Sequence, residues 1–173
     1  MENVVPVTVI LALAAGLRHR RLSWPAYLAV LLLLAIHELG AHFTYAKVPY
    51  EQWMRELTDH SLNATFGWKR NQYDRLVHFS YGLLMVVPLR EMLYRQTPLR
   101  GGWLAWLALS LVLATSALYE LIEWIGGAYL GDDQAQAFLA TQKDIWDAQK
   151  DMALALLGAI IYLALRAALR FRR

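Results

Sequence analysis

Apolar stretches of about the 20 residues needed to cross a bilayer recur along this chain of 173 residues. Inside hydrocarbon, every backbone N–H and C=O must find its partner within the protein, and a set of such stretches meets that demand as helices. The sequence therefore predicts an all-α, polytopic membrane bundle, with residues 1–173 forming one integral membrane domain. Composition agrees: 58% of the residues are hydrophobic, where soluble domains are about half apolar.

Five hydrophobic segments can be read. They are Val4 to Leu17, Pro25 to Tyr45, Tyr73 to Tyr94, Leu99 to Ile125 and Asp151 to Leu169. The first is short for a span and is expected to be tilted, interfacial or truncated. It lacks a basic start and runs into Arg18-His19-Arg20-Arg21, which reads as a stop and not as a cleavage site. Pro88 is expected to kink the third segment, and Gly126-Gly127 to end the fourth.

Charge sets the expected orientation. Arg18, Arg20 and Arg21 follow the first segment, Arg90, Arg95 and Arg100 separate the third from the fourth, and Arg166, Arg170, Arg172 and Arg173 close the chain. If the segments alternate, all of these fall on one side, with Glu91 as the only acid there. The positive-inside rule makes that side cytoplasmic. This topology accounts for the net charge of +3, so nucleic acid is not an expected partner. The loops Ala46 to Gln72 and Gly126 to Lys150 then face outward, carrying Trp53, Trp68 and Trp146, a residue favoured at membrane interfaces. Pro49, followed by Tyr50 to Leu57, predicts a short interfacial helix with proline at its start. There is no cysteine, which excludes disulfides and thiolate metal sites.

The same outward end gathers most of the acids and imidazoles. Helical spacing brings residues three or four apart onto one face. It pairs Glu38 with His42, Asp74 with His78 and Glu120 with Glu123, and it aligns Asp144, Asp147 and Asp151 in a stripe. His37 is five residues from His42 and is expected to point elsewhere. Ionisable groups in or beside hydrocarbon cost roughly 2.5–3.5 kcal/mol each at mid-bilayer and mark functional sites. Packed carboxylates also repel one another unless a counter-charge is supplied. A divalent metal supplies it, and carboxylate-plus-histidine donors suit zinc, manganese, iron or magnesium. The expected metal ligands are His42, His78, Glu120, Glu123, Asp147 and Asp151, with Glu120, Glu123 and Asp147 as catalytic acids or bases. Glu38, Asp74 and Asp144 are expected to orient the histidines, and Arg75 or Lys143 to hold a substrate phosphate. The bland readings run beside these. Asp74 and Asp151 suit helix caps, Tyr45, Tyr50, Trp103, Trp106 and Trp124 suit interface anchors, and the buried acids suit structural ion pairs.

His37-Glu38-Leu39-Gly40-Ala41-His42-Phe43-Thr44-Tyr45, Val48-Pro49, Asn71 to Phe79, Tyr119 to Trp124, Asp144 to Asp147 and Lys150-Asp151-Met152 together resemble the bacterial YjdF-like inner-membrane family across nearly the whole chain. That resemblance implies a multi-pass fold in the inner membrane and assigns no reaction. It also implies that the short first segment reflects a late start, since relatives of this type tend to carry more hydrophobic sequence there. A more distant likeness is to VanZ-like membrane proteins, through Asp74 and His78, Glu120, and Asp147 or Asp151 ahead of Gly158. It implies cell-envelope or lipid-linked substrates. Where those proteins tend to have Glu-x-x-Gln, this chain has Glu120 and Glu123, an extra charge that favours a metal. The leading expectation is a metal-dependent hydrolase or transferase acting on an envelope lipid or lipid-linked group at the extracytoplasmic face, with membrane lipid as its partner. The alternative is a non-enzymatic proton-coupled transporter or ligand-binding membrane component.

Overall fold

The computed structural model describes residue 11, residues 22–129 and residues 144–170. The first hydrophobic segment, Leu11 apart, and Lys143 lie outside these residues. Helix α1 covers Trp24–Phe43, with Pro25 in its first turn, where the missing N–H costs nothing. It stops at Thr44, whose left-handed backbone (φ 53°) turns the chain into a 3-10 turn, Tyr45–Lys47. The predicted short helix follows as α2, Tyr50–Thr58, and then comes α3, Leu62–Phe66. Helices α4 (Tyr73–Gln96), α5 (Gly101–Tyr129) and α6 (Asp147–Arg170) complete the fold. There is no β-strand among the described residues. Four helices, α1, α4, α5 and α6, are long and apolar enough to cross a membrane.

Two boundaries differ from the sequence reading. Helix α5 continues through Gly126-Gly127 to Tyr129, because a glycine costs only about 1 kcal/mol in a helix interior and the preceding apolar helix is long. Helix α6 begins at Asp147, not Asp151. The hydrophobic run defines the span, whereas the helix itself extends into the polar Asp147-Ala148-Gln149-Lys150 turn.

Helix α4 is central and packs against α1, α5 and α6. Its contact with α6 is the closest. A Cβ added at Gly82 would lie 1.7 Å from the Ala155 carbonyl oxygen, and one at Gly158 would lie 2.3 Å from that of Phe79. Small residues let membrane helices approach to backbone contact, where dispersion replaces the hydrophobic effect as the driving force. Val86, Ala108, Val112, Ala155 and Ala159 fill the core beside this contact. Outward, Trp24, Leu28, Leu31, Trp103, Trp106 and Leu118 are exposed, as expected of faces that meet lipid.

At one end of the bundle, the Ser23 N–H and hydroxyl donate to the two Glu91 carboxylate oxygens, at 2.8 and 2.5 Å. Arg95 pairs with the same carboxylate at 2.6 Å. This ties the start of α1 to the end of α4. The opposite end brings together the C-termini of α1 and α5 and the N-termini of α4 and α6.

Candidate functional site

At that second end, Asp74 and His78 stand one turn apart on α4 and face Asp151 on α6. All three are buried, at 7%, 6% and 2% exposure. Each offers one ligand atom, and these atoms lie within 4.8 Å of one another. His78 Nε2 is 3.8 Å from Asp74 Oδ1 and 3.5 Å from Glu120 Oε1, which arrives from α5. Glu123 stands on the next turn of α5. It accepts a hydrogen bond from Tyr119 and lies within electrostatic range of Asp74, Glu120 and Asp151. Two oxygens in this group, Asp151 Oδ1 and Glu120 Oε1, are buried without a hydrogen-bond partner among the described residues. An unsatisfied buried carboxylate oxygen is costly, and a cation is the partner that several such oxygens share most readily. The Asp74–His78–Asp151 group could hold a metal.

Neither aspartate acts as a helix cap. The position before α4 is Gln72, with no side-chain cap bond, and Asp151 lies four residues inside α6.

The remaining acids of the stripe are paired with basic residues. Arg70 donates to Asp147 Oδ1 at 2.6 Å, and Arg75 reaches the same oxygen at 3.3 Å. Asp144 Oδ2 accepts from Arg75 at 2.6 Å and from Lys150 at 2.7 Å. The Lys150 ammonium, then the Trp146 N–H and the Arg75 guanidinium, hold the Asp144 carboxyl well below the usual carboxylate range. This lattice joins the approach to α4 with the start of α6 and stands beside the buried group. Arg75, expected to meet a phosphate, is engaged here with Asp144 and Asp147.

On α1 the two histidines take the opposite places from those expected. His42 and Glu38 are exposed, and the His42 ring meets Phe43 edge-on at 4.7 Å. His37 turns inward, with Nδ1 2.6 Å from the Tyr45 hydroxyl. The packed face of α1 decides this. It carries Val30 and Gly40, and His37 is seven residues after the one and three before the other. That register was available in the sequence. Tyr45, expected as an interface anchor, is folded back by Thr44 so that its ring rests on Gly40.

His37 and Tyr45 share a cavity of about 210 Å³ with Asp74 and His78. Its walls come from α1, α4 and α5. The deeper part is apolar, formed by Val30, Leu33 and Met85 among others. Below the site, the loop between α1 and α4 is fixed by its own polar contacts. Tyr50 donates to Asn63 Oδ1 at 2.9 Å and accepts from the Gln72 N–H at 3.1 Å, and burial raises its phenol above the ordinary value.

Residues 1–172 match the family described as "Predicted membrane protein (DUF2238)". The chain belongs to this family. It is similar to the inner membrane protein YjdF of Escherichia coli (strain K12), with 38% identity over 172 residues, covering 95% of this chain and 76% of that relative. No solved structure matches it. With four candidate spans, the protein is a multi-pass protein of the inner membrane, as its YjdF-like motifs imply.

Proposed function

We infer that the protein is a divalent-cation-dependent hydrolase or transferase acting on an envelope lipid or lipid-linked group. The observation that carries this reading is Asp151 Oδ1, buried without a hydrogen-bond partner among the described residues, in reach of ligand atoms from Asp74 and His78. Three protein donors leave a coordination position open, as catalytic metal sites do. Oxygen and imidazole donors suit zinc, manganese, iron or magnesium. A bound ion of this kind would polarise a substrate oxygen or lower the pKa of water.

The chain's own residues supply the rest. Glu120, 3.5 Å from His78, stands where it can hold the imidazole or complete the donor set. Glu123, hydrogen-bonded to Tyr119, is the acid placed to take or return a proton. Asp147 and Asp144 neutralise Arg70 and Arg75 and so fix the α4–α6 corner. The cluster of Arg90, Arg95 and Arg100 near the other end supports placing the site on the extracytoplasmic face.

The test is the metal content of detergent-purified protein, together with calorimetric titration with zinc, manganese and magnesium. Stoichiometric binding lost in both His78→Ala and Asp151→Asn is expected. Protein that binds no divalent ion but conducts pH-dependent flux in vesicles would replace this reading with the proton-coupled transporter.

A further inference from the structure

We propose that the cleft between α1 and α5 receives the alkyl chain of a single-chain amphiphile and places its oxygen-bearing head group between His37–Tyr45 and Asp74–His78. This rests on reading the buried acid and histidine group as a cation site.

The shape of the cavity carries the argument. Helices α1 and α5 each pack on α4, and the cavity lies between them with α4 as its floor. Along α4 its lining runs from Asp74 to Met85, a separation of about 16 Å at helical rise. That is about half of a hydrocarbon core roughly 30 Å thick. Along α1 it runs from His37 inward to Val30, about 10 Å. The cavity therefore descends through one leaflet, from the polar membrane face to the bilayer middle.

Its chemistry is graded along the same direction. His37, Tyr45, Asp74 and His78 line the outer end, Tyr81 and Thr115, bonded to each other, and Ser116 line the middle, and Val30, Leu33 and Met85 the inner end. Water gains nothing at an apolar end that offers it few polar partners. A hydrocarbon chain suits that end, and the outer end requires a head that can donate or accept hydrogen bonds. His37 and Tyr45, 2.6 Å apart, can do both. The acids opposite repel an anionic head unless a cation neutralises them. An anionic amphiphile should therefore bind in a cation-dependent way and a neutral one should not.

The probe is radiolabelled dodecyl phosphate, with dodecanol as the neutral comparison, added to the full chain in nanodiscs and to empty nanodiscs. The expected result is a saturable component beyond partition into lipid, strengthened by zinc or manganese for the phosphate only. Leu33→Trp and Met85→Trp fill the inner end by different routes, and each should weaken both probes roughly tenfold or more with cation content unchanged. His37→Ala should weaken the phosphate more than the alcohol. Uptake equal to that of empty nanodiscs, or uptake indifferent to both filling variants, in protein that still binds its cation, would overturn the cleft assignment alone. Saturable, filling-sensitive uptake by protein that binds no cation would keep the cleft and overturn the cation site.

Discussion

His78 Nε2 and Glu120 Oε1 face each other at 3.5 Å across the α4–α5 interface, and that Glu120 oxygen has no hydrogen-bond partner among the described residues. Two helices thus present complementary groups at a spacing looser than the roughly 2.7–2.9 Å of a charge-assisted hydrogen bond. A cation between Asp74, His78 and Asp151 would draw on the same imidazole. Glu120→Gln keeps the shape and removes the charge. It is expected to weaken zinc or manganese binding by roughly 10–100-fold, read by calorimetric titration. Unchanged affinity would remove Glu120 from the site.

The α4–α6 contact should be intolerant of a single methyl group. Gly82→Ala or Gly158→Ala puts a Cβ against backbone at 1.7 or 2.3 Å, where no side chain can yield. Overpacking of this kind costs about 1–3 kcal/mol, occasionally more. Both variants should melt earlier in detergent and lose cation binding, because Asp151 would move away from Asp74. A melt matching that of the unaltered protein would mean that the helices can part without cost.

Arg70→Met leaves Asp147, which is buried, without its 2.6 Å partner and with the longer 3.3 Å contact to Arg75 in its place. Breaking a buried pair on one side costs about 3–5 kcal/mol, whereas replacing both partners is often close to neutral. Adding Asp147→Asn to Arg70→Met should therefore restore most of the stability and the cation binding. Restored stability without restored binding would return Asp147 to the set of ligands.

Asp144 gives the same corner a defined acid response. Its carboxyl is held down by Lys150, the Trp146 N–H and Arg75, so its folded value lies below the unfolded one of about 3.9. The stabilisation is complete above that unfolded value and fades as pH falls through it toward the folded one. Wild type and Asp144→Asn should differ in melting temperature at neutral pH and converge under strong acid. A difference that grew on acidification would contradict this.

At the other end of the bundle, Glu91→Gln removes an anion from Ser23 and Arg95. Hydrogen bonds to charged groups contribute about 1.5–3 kcal/mol, and half-exposed Arg95 adds little. The melting temperature should fall while cation binding holds. A loss of cation binding would show that the two ends are coupled.

The architecture was legible because span length is a local property. Helices α1, α4, α5 and α6 follow the apolar runs to within a few residues, and Pro49 marks the start of α2 as expected. The pairing of Asp74 with His78 was legible for the same reason, since four residues make one turn. What spacing could not supply was which acids meet a basic partner. Asp147 and Asp151 share a stripe four apart, yet Arg70 reaches one and no described side chain satisfies Oδ1 of the other. That difference arises from a loop fold that brings Arg70 back to α6, a contact between residues 77 positions apart. His37 and His42 were separable in principle, but only by asking which face of α1 carries its small residues.

Helix α1 is fastened to α4 twice, by Ser23 on Glu91 at one end and by the Tyr73 hydroxyl on the Ile36 carbonyl, at 2.8 Å, toward the other. A rod held at two points cannot swing outward like a door. It stands instead as a fixed wall of the cavity, so that His37 and Leu33 keep their distance from α4 whatever occupies the space between them.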